Sequence, residues 1–257
     1  MPKLLPGLLL IAALSAVLWF LFRGQTGEAR AHELRGHDRV AAARKSRGEA
    51  ARGHFRRAGL AYPPREIFLR AFKHEQELEL WARAAGKPFR LIVTFPVLAA
   101  SGTPGPKRRE GDRQVPEGFY DIAVFNPKSR FHLSLGLNYP NASDRIFADP
   151  LKPGGDIYIH GSNVSTGCLA LGDDAIKELF LIATDTRDRG QRRIPVHLFP
   201  ARMDDPEWES FACEHVEQQP ALDSFWDSLR EGFLAFERER RVPVITVDAG
   251  GRYRVAR

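Results

Sequence analysis

His160 and Cys168 are the two residues whose types and spacing point to chemistry in this chain. A thiol becomes a strong nucleophile when a neighbouring imidazole takes its proton and a thiolate–imidazolium pair forms. The pair brackets the run His160-Gly161-Ser162-Asn163-Val164-Ser165-Thr166-Gly167-Cys168, a short glycine-containing stretch able to bring both side chains to one place. Gly167 lets the backbone approach a substrate closely, and amides around Gly167 and Cys168, ahead of an expected helix, are candidates for holding an oxyanion. A carbonyl or hydroxyl from Gly161 or Ser162 could orient the imidazole. Spacing alone leaves other readings open. Cys168 could be a small buried hydrophobe, a zinc ligand with His160 and either His132 or His197, or one end of a bridge to Cys213, the other of the two cysteines. The short paired spacings of structural zinc sites are missing, whereas an exported chain meets an oxidising compartment that favours disulfides.

The elements that would position these residues are mainly strands. Residues 77–83 alternate apolar and polar, 67–72 can pair with them through a turn around residues 74–76, and 89–97 is β-branched and aromatic after the turn signal Gly86-Lys87-Pro88; together these predict a β-meander, with a helix over 66–84 as the competing reading. A long loop at 101–118, dense in Gly, Pro and charge, has the length of a functional loop. Strands are expected at 119–125 and 130–137, then a polar loop at 138–155. A short strand at 156–160 ends on His160. Asp173 and Asp174 fit an N-cap and first helical turn, followed by a helix, a strand at 194–199, a helix at 222–240 and a terminal hairpin. The expected class is mainly β with helices (α+β), carrying a C-terminal α/β extension.

Residues 4–22 form an apolar run that spans a bilayer's hydrocarbon core at ~1.5 Å per residue. It is longer than the usual signal-peptide core of about 7–15 residues, which favours an uncleaved anchor over a cleaved signal. Export follows in either case and argues against a nucleic-acid partner. From Arg23 to Arg57 there are ten basic and four acidic residues, so this segment alone carries an excess equal to the chain's net charge of +6. It reads as a solvated linker or exposed helix, or as a contact with anionic lipid or wall polymer. The expected organisation is an anchor or signal at 1–23, a basic Ala/Arg-rich linker at 24–64, a catalytic domain at 65–200 and a helical and hairpin extension at 201–257.

The His-Gly followed by Ser-Thr-Gly-Cys resembles the active-site signature of the L,D-transpeptidase (YkuD-like) catalytic domain. The likeness extends through Gly105-Pro106-Lys107, Glu110-Gly111-Asp112, Pro116-Glu117-Gly118-Phe119-Tyr120, Phe125-Asn126-Pro127, Phe131-His132-Leu133-Ser134-Leu135 and Tyr139-Pro140-Asn141. Over roughly residues 67–199 it is similar to the YafK-like branch of that family. The resemblance implies a β-sandwich or barrel core. It also implies a thioester acyl-enzyme on Cys168, formed at a carbonyl next to meso-diaminopimelate in a peptidoglycan stem peptide, with His160 as base and no metal or organic cofactor. An amine acceptor then gives transpeptidation, and water gives hydrolysis of that linkage or of a protein–peptidoglycan link. A non-catalytic peptidoglycan-binding protein is the third reading. Lys107, His132, Tyr139 and Thr166 are the expected substrate-binding residues. Leu169 stands where many family members carry an arginine, which bears on how the substrate is placed.

Overall fold

The computed structural model describes residues 38–256; the apolar run at 4–22 lies outside them. No helix among the described residues is long and apolar enough to cross a membrane. One mixed sheet of nine strands dominates, in the order β3-β2-β1-β9-β5-β6-β7-β8-β4. Its strands are β1 (Glu66–Phe72), β2 (Glu77–Arg83), β3 (Arg90–Pro96), β4 (Ala99–Ala100), β5 (Gly118–Asn126), β6 (Ser134–Leu137), β7 (Tyr158–His160), β8 (Leu169–Ala170) and β9 (Pro195–Phe199). The two ends of that order, β3 and β4, are separated in the chain only by Val97 and Leu98. Three Cα steps of 3.8 Å reach about 11 Å at most, so the sheet curls until its edges approach. The α+β class and the strands of the meander agree with expectation.

Period-2 alternation explains why β1 is buried on both faces. Ile67, Leu69 and Ala71 face the main core with Leu78, Leu80, Val196, Leu198 and the helix α3 (Asp173–Asp188). Phe68 and Phe72 face the opposite side, where α5 (Ala221–Glu239) supplies Phe233 and Phe236. Arg70, also on that side, is 2% exposed. Its guanidinium donates to Glu79 and Glu237 and sits 4.7 Å from the Phe236 ring centroid, so the buried charge is paired on every side. The helix α4 (Trp208–Gln218) and a hairpin of β10 (Ile245–Val247) and β11 (Tyr253–Val255) complete that second layer.

Three local expectations change. Residues 38–57, inside the expected linker, form a helix, α1, which packs on the domain. Ala43, Ala51 and Phe55 on one face are buried. Several of its basic residues are consumed by α3: Arg44 forms two bonds with Asp185, Arg47 pairs with Asp174, and His54 meets Glu178 at 2.7 Å. Two of the seven Lys and Arg residues on this helix, Arg44 and Arg47, thus belong to an interhelical ion-pair seam. The strand expected from residue 130 starts only at Ser134, because His132 adopts a left-handed φ of 74° that breaks the extended run. Finally, the polar loop at 138–155 contains a short helix, α2 (Ala142–Phe147), capped reciprocally by Asn141 and Asp144.

Phe55 tests whether α1 belongs to the domain. Phe55→Ala removes a fully buried ring and is expected to cost about 3–5 kcal/mol in urea unfolding. An unchanged urea midpoint would mean that the helix is not docked.

Candidate active site

The parallel pairing of β7 with β8 aligns Ile159 with Leu169 and His160 with Ala170. One step back along that register puts Cys168 beside Tyr158. Ile159 and Leu169 point into the core, so by alternation His160 and Cys168 project from the other face, one diagonal step apart. Diagonal neighbours in a sheet are separated by roughly 7–8 Å. The sulfur meets the start of β7: it accepts from Tyr158 N–H at 3.4 Å, and the thiol faces Asp156 O at 3.5 Å. Among the described residues no hydrogen bond joins it to His160. Rotation of the thiol or a bridging atom is needed for proton transfer, a looseness common before substrate binds.

His160 is 2% exposed. Its Nδ1 lies 2.5 Å from Gly161 O; a carbonyl only accepts, so Nδ1 carries the proton and Nε2 is left as the basic nitrogen. Phe131 stacks over the imidazole at 4.7 Å. Gly161 is required by its surroundings, because a Cβ there would lie 2.6 Å from Asp173 Oδ1 and 2.7 Å from the Phe131 carbonyl. Gly167 has φ of 90° and faces Gln114 O, so a side chain would be strained as well as crowded.

Burial sets the resting protonation. It pushes the Cys168 thiol up, against opposing pulls from the Tyr158 amide and the charge of Lys107. It holds His160 below the ordinary imidazole value. Both directions favour a neutral thiol beside a neutral imidazole.

The backbone amides are also committed. Gly167 N–H donates to Ser101 Oγ at 2.6 Å and Cys168 N–H to Ser165 Oγ at 3.0 Å. The expected helix does not follow Cys168 directly, since β8 intervenes and α3 begins at Asp173. Asp173 serves the loop rather than capping α3: its carboxylate accepts from Ser162 N–H at 2.8 Å, and the N-cap is Gly172.

Lys107 is close enough to act on the thiol, but it is buried and tied. Its ammonium donates to Asp112 at 2.6 Å and to Arg109 O at 2.8 Å. The Asp112 carboxylate gathers the amides of Arg108, Arg109 and Gln114 as well, so Lys107 and Asp112 form the pin of the long loop. Tyr139 is buried too, donating between the carbonyls of Lys107 and Pro153. Thr166 is exposed. His132 lines an open cleft of about 1140 Å³ with Leu98, Phe131, Ser162, Asp173 and Lys177, next to the 161–167 loop. Its buried Nε2 has no hydrogen-bond partner among the described residues.

Two rival readings of Cys168, the bridge and the zinc set, find no geometry among the described residues. Cys168 and Cys213 are both free thiols, and His197 lies in a box of Phe68 and Phe119 on β9. No three His, Cys, Asp or Glu side chains converge on a metal position among the described residues.

Sequence reasoning missed several supporting groups. Glu117, fully buried, takes Lys73 at 3.0 Å, Gly105 N–H at 2.6 Å and Trp226 Nε1 at 2.7 Å, and so joins the long loop to β1 and α5. Its signal was a lone carboxylate in the apolar setting Val115-Pro116-Glu117-Gly118-Phe119. Asp144, which accepts from Tyr120 OH at 2.8 Å, is pushed up to about 6 by burial; nothing in the sequence marks it beyond its capping-box spacing from Asn141.

The YkuD family profile, described as the L,D-transpeptidase catalytic domain, matches residues 73–197. The chain is 32% identical over 193 residues to YafK of Escherichia coli K12, whose own assignment as an L,D-transpeptidase is provisional; the match covers 74% of each chain. This chain belongs to the L,D-transpeptidase family. Among solved structures it is similar to the helical cell shape determining protein Pgp2 of Campylobacter jejuni, with TM-score 0.43, 17% identity and 71% and 73% of the two chains covered. Bd1075 of Bdellovibrio bacteriovorus gives TM-score 0.37 at 20% identity, covering 66% and 62%. The family assignment rests on the sequence matches.

Two measurements probe this geometry. Alkylation of Cys168 by iodoacetamide is expected to rise with pH along a curve whose midpoint lies above that of a free thiol, and Lys107→Met is expected to move it higher still. A midpoint below neutrality would mean a preformed thiolate. Asp144 has a folded pKa raised above its unfolded value, so its contribution is present below about pH 4 and is lost as pH rises through about 6. Relative to Asp144→Asn, the wild type should lose about 2 kcal/mol of stability between pH 4 and pH 7. A gap that stays constant across that range would refute the assignment.

Proposed function

We propose that this chain is a cysteine-dependent murein L,D-transpeptidase acting on stem peptides that contain meso-diaminopimelate. Cys168 attacks the carbonyl next to that residue, and His160 Nε2 takes the thiol proton and returns one to the leaving amine, which gives a thioester on Cys168. An amine acceptor then resolves the thioester and a crosslink forms. The observation that carries this reading is the joint placement of the family's two signature side chains. They lie on one face of a parallel strand pair, with the Gly161 carbonyl fixing the imidazole tautomer.

Three features shape the mechanism. Ser101 and Ser165 hold the amides of Gly167 and Cys168 in the empty site, so an oxyanion drawing on those amides displaces a hydroxyl first. Lys107 acts on the thiol electrostatically, from within the loop pin, rather than by reaching out to a substrate carboxylate. His132 lines the neighbouring cleft, beside the 161–167 loop, where it could contact the peptide.

Hydrolysis of the same linkage, or of a protein–peptidoglycan link, is the second reading. Its support is Leu169, which is 2% exposed and packed in the core, so no cation follows Cys168 to place an acceptor. The apolar run at 4–22, outside the described residues, supports a membrane-anchored or exported location on the periplasmic side.

Purified muropeptides incubated with wild type and with Cys168→Ala, and identified by mass spectrometry, test the reading. Cysteine-dependent 3–3 dimers are expected. Shortened or released peptides instead would transfer the assignment to hydrolysis, and binding with no cysteine-dependent product would leave a peptidoglycan-binding protein.

A further inference from the structure

Arg39 lies on α1, outside the segment matched by the family profile, and the mechanism above does not use it. One of its guanidinium nitrogens, Nη1, donates to two backbone carbonyls, Ser129 O at 2.7 Å and His132 O at 3.1 Å. Those carbonyls bracket Phe131. The Phe131 ring stacks on the His160 imidazole at 4.7 Å, and the Phe131 carbonyl accepts from Gly161 N–H at 3.0 Å. Gly161 in turn accepts the proton of His160 Nδ1. Residues 129–133 thus touch His160 twice, over its face and through the residue that fixes its tautomer.

Besides Arg39, this segment is held by Leu133, buried in the core at its end, and by Gly161 N–H, which donates to the carbonyls of Phe131 and Leu133. Strand pairing begins only at Ser134, and Phe131 is 43% exposed. His132 is in the left-handed region, which costs a non-glycine residue free energy and persists only where neighbours enforce it. The one local tie within the turn is Phe131 N–H to Ser129 Oγ at 3.1 Å. Arg39, by contrast, is presented from a helix already fixed to the domain by Phe55 and by the Arg44–Asp185 and His54–Glu178 contacts.

We propose that Arg39 is a positioning residue that clamps the 129–133 turn and, through Phe131, sets the orientation of His160, so that alignment of the base depends on docking of α1. This rests on the proposed role of His160 as base. A helix that sequence reading takes for a linker becomes part of the active-site scaffold.

The test uses the full chain and measures kcat and KM for cysteine-dependent conversion of muropeptides, with melting followed by circular dichroism. Arg39→Met is expected to lower kcat about tenfold, a size typical of small misplacements of catalytic groups, with KM and melting temperature nearly unchanged. Arg39→Lys, which keeps a donor on a long stem, should recover most of that loss. Because the effect passes through Phe131, adding Arg39→Met to Phe131→Ala should change little further. A raised KM at unchanged kcat would overturn the proposal and make Arg39 a substrate contact in the cleft it lines. So would an unchanged kcat, or losses that simply multiply in the double variant. His160→Ala, assayed beside these, separates the two levels. If it keeps wild-type kcat, the base assignment fails and the proposal falls with it; if His160 matters and Arg39→Met is silent, only the proposal falls.

Discussion

The tightest constraint in this molecule is the connection between β7 and β8. Parallel neighbours usually need a crossover of a dozen or more residues, yet only residues 161–168 lie between these strands. The chain leaving His160 must turn back and rejoin the sheet level with the start of β7. Positive φ at Ser162 and Gly167 marks the path of that return. Its outcome is geometric: Cys168 lands beside Tyr158, on the face that also carries His160. The hydrogen bonds of Ser101, Ser165 and Asp173 are best understood as the ties that hold so short a crossover in place.

Support for that crossover comes from distant parts of the chain. The long loop at 101–118 brings Ser101 to Gly167, and the loop is itself pinned by Lys107–Asp112 and by buried Glu117. Glu117 takes the Trp226 indole of α5, so the C-terminal layer also steadies the loop. On the other side, α1 and α3 flank the cleft that adjoins residues 161–167. The candidate site therefore sits where the sheet curls toward closure, between loops braced by helices on both sides.

Much of this was legible in the sequence where the signal is local. Alternation in residues 77–83, with apolar runs at 67–72 and 89–97, pointed to the meander, and the His160–Cys168 run stood out by residue type. What escaped was non-local or chemically plain. The buried face of α1 is built from Ala43, Ala51 and Phe55 among arginines, a weak apolar contrast, and the acids that pair with those arginines lie on α3. The late start of β6 depends on the backbone of His132, and residues 130–133 alone look like a continuing strand. Lys107 looks like a substrate-binding cation in the sequence because its partner, Asp112, is recognisable only once the loop is folded. Ser101, which caps the Gly167 amide, carries no signature, and Ser165 stands in the Ser-Thr-Gly-Cys run without revealing its bond to the Cys168 amide.

The most direct test of the central claim is to look for the covalent intermediate itself. Intact-protein mass spectrometry, after brief mixing with a purified tetrapeptide muropeptide and acid quenching, should show an acyl adduct that maps to Cys168. The adduct should form much more slowly in His160→Ala and be absent in Cys168→Ala. Product formation by Cys168→Ala at the wild-type rate would contradict the account.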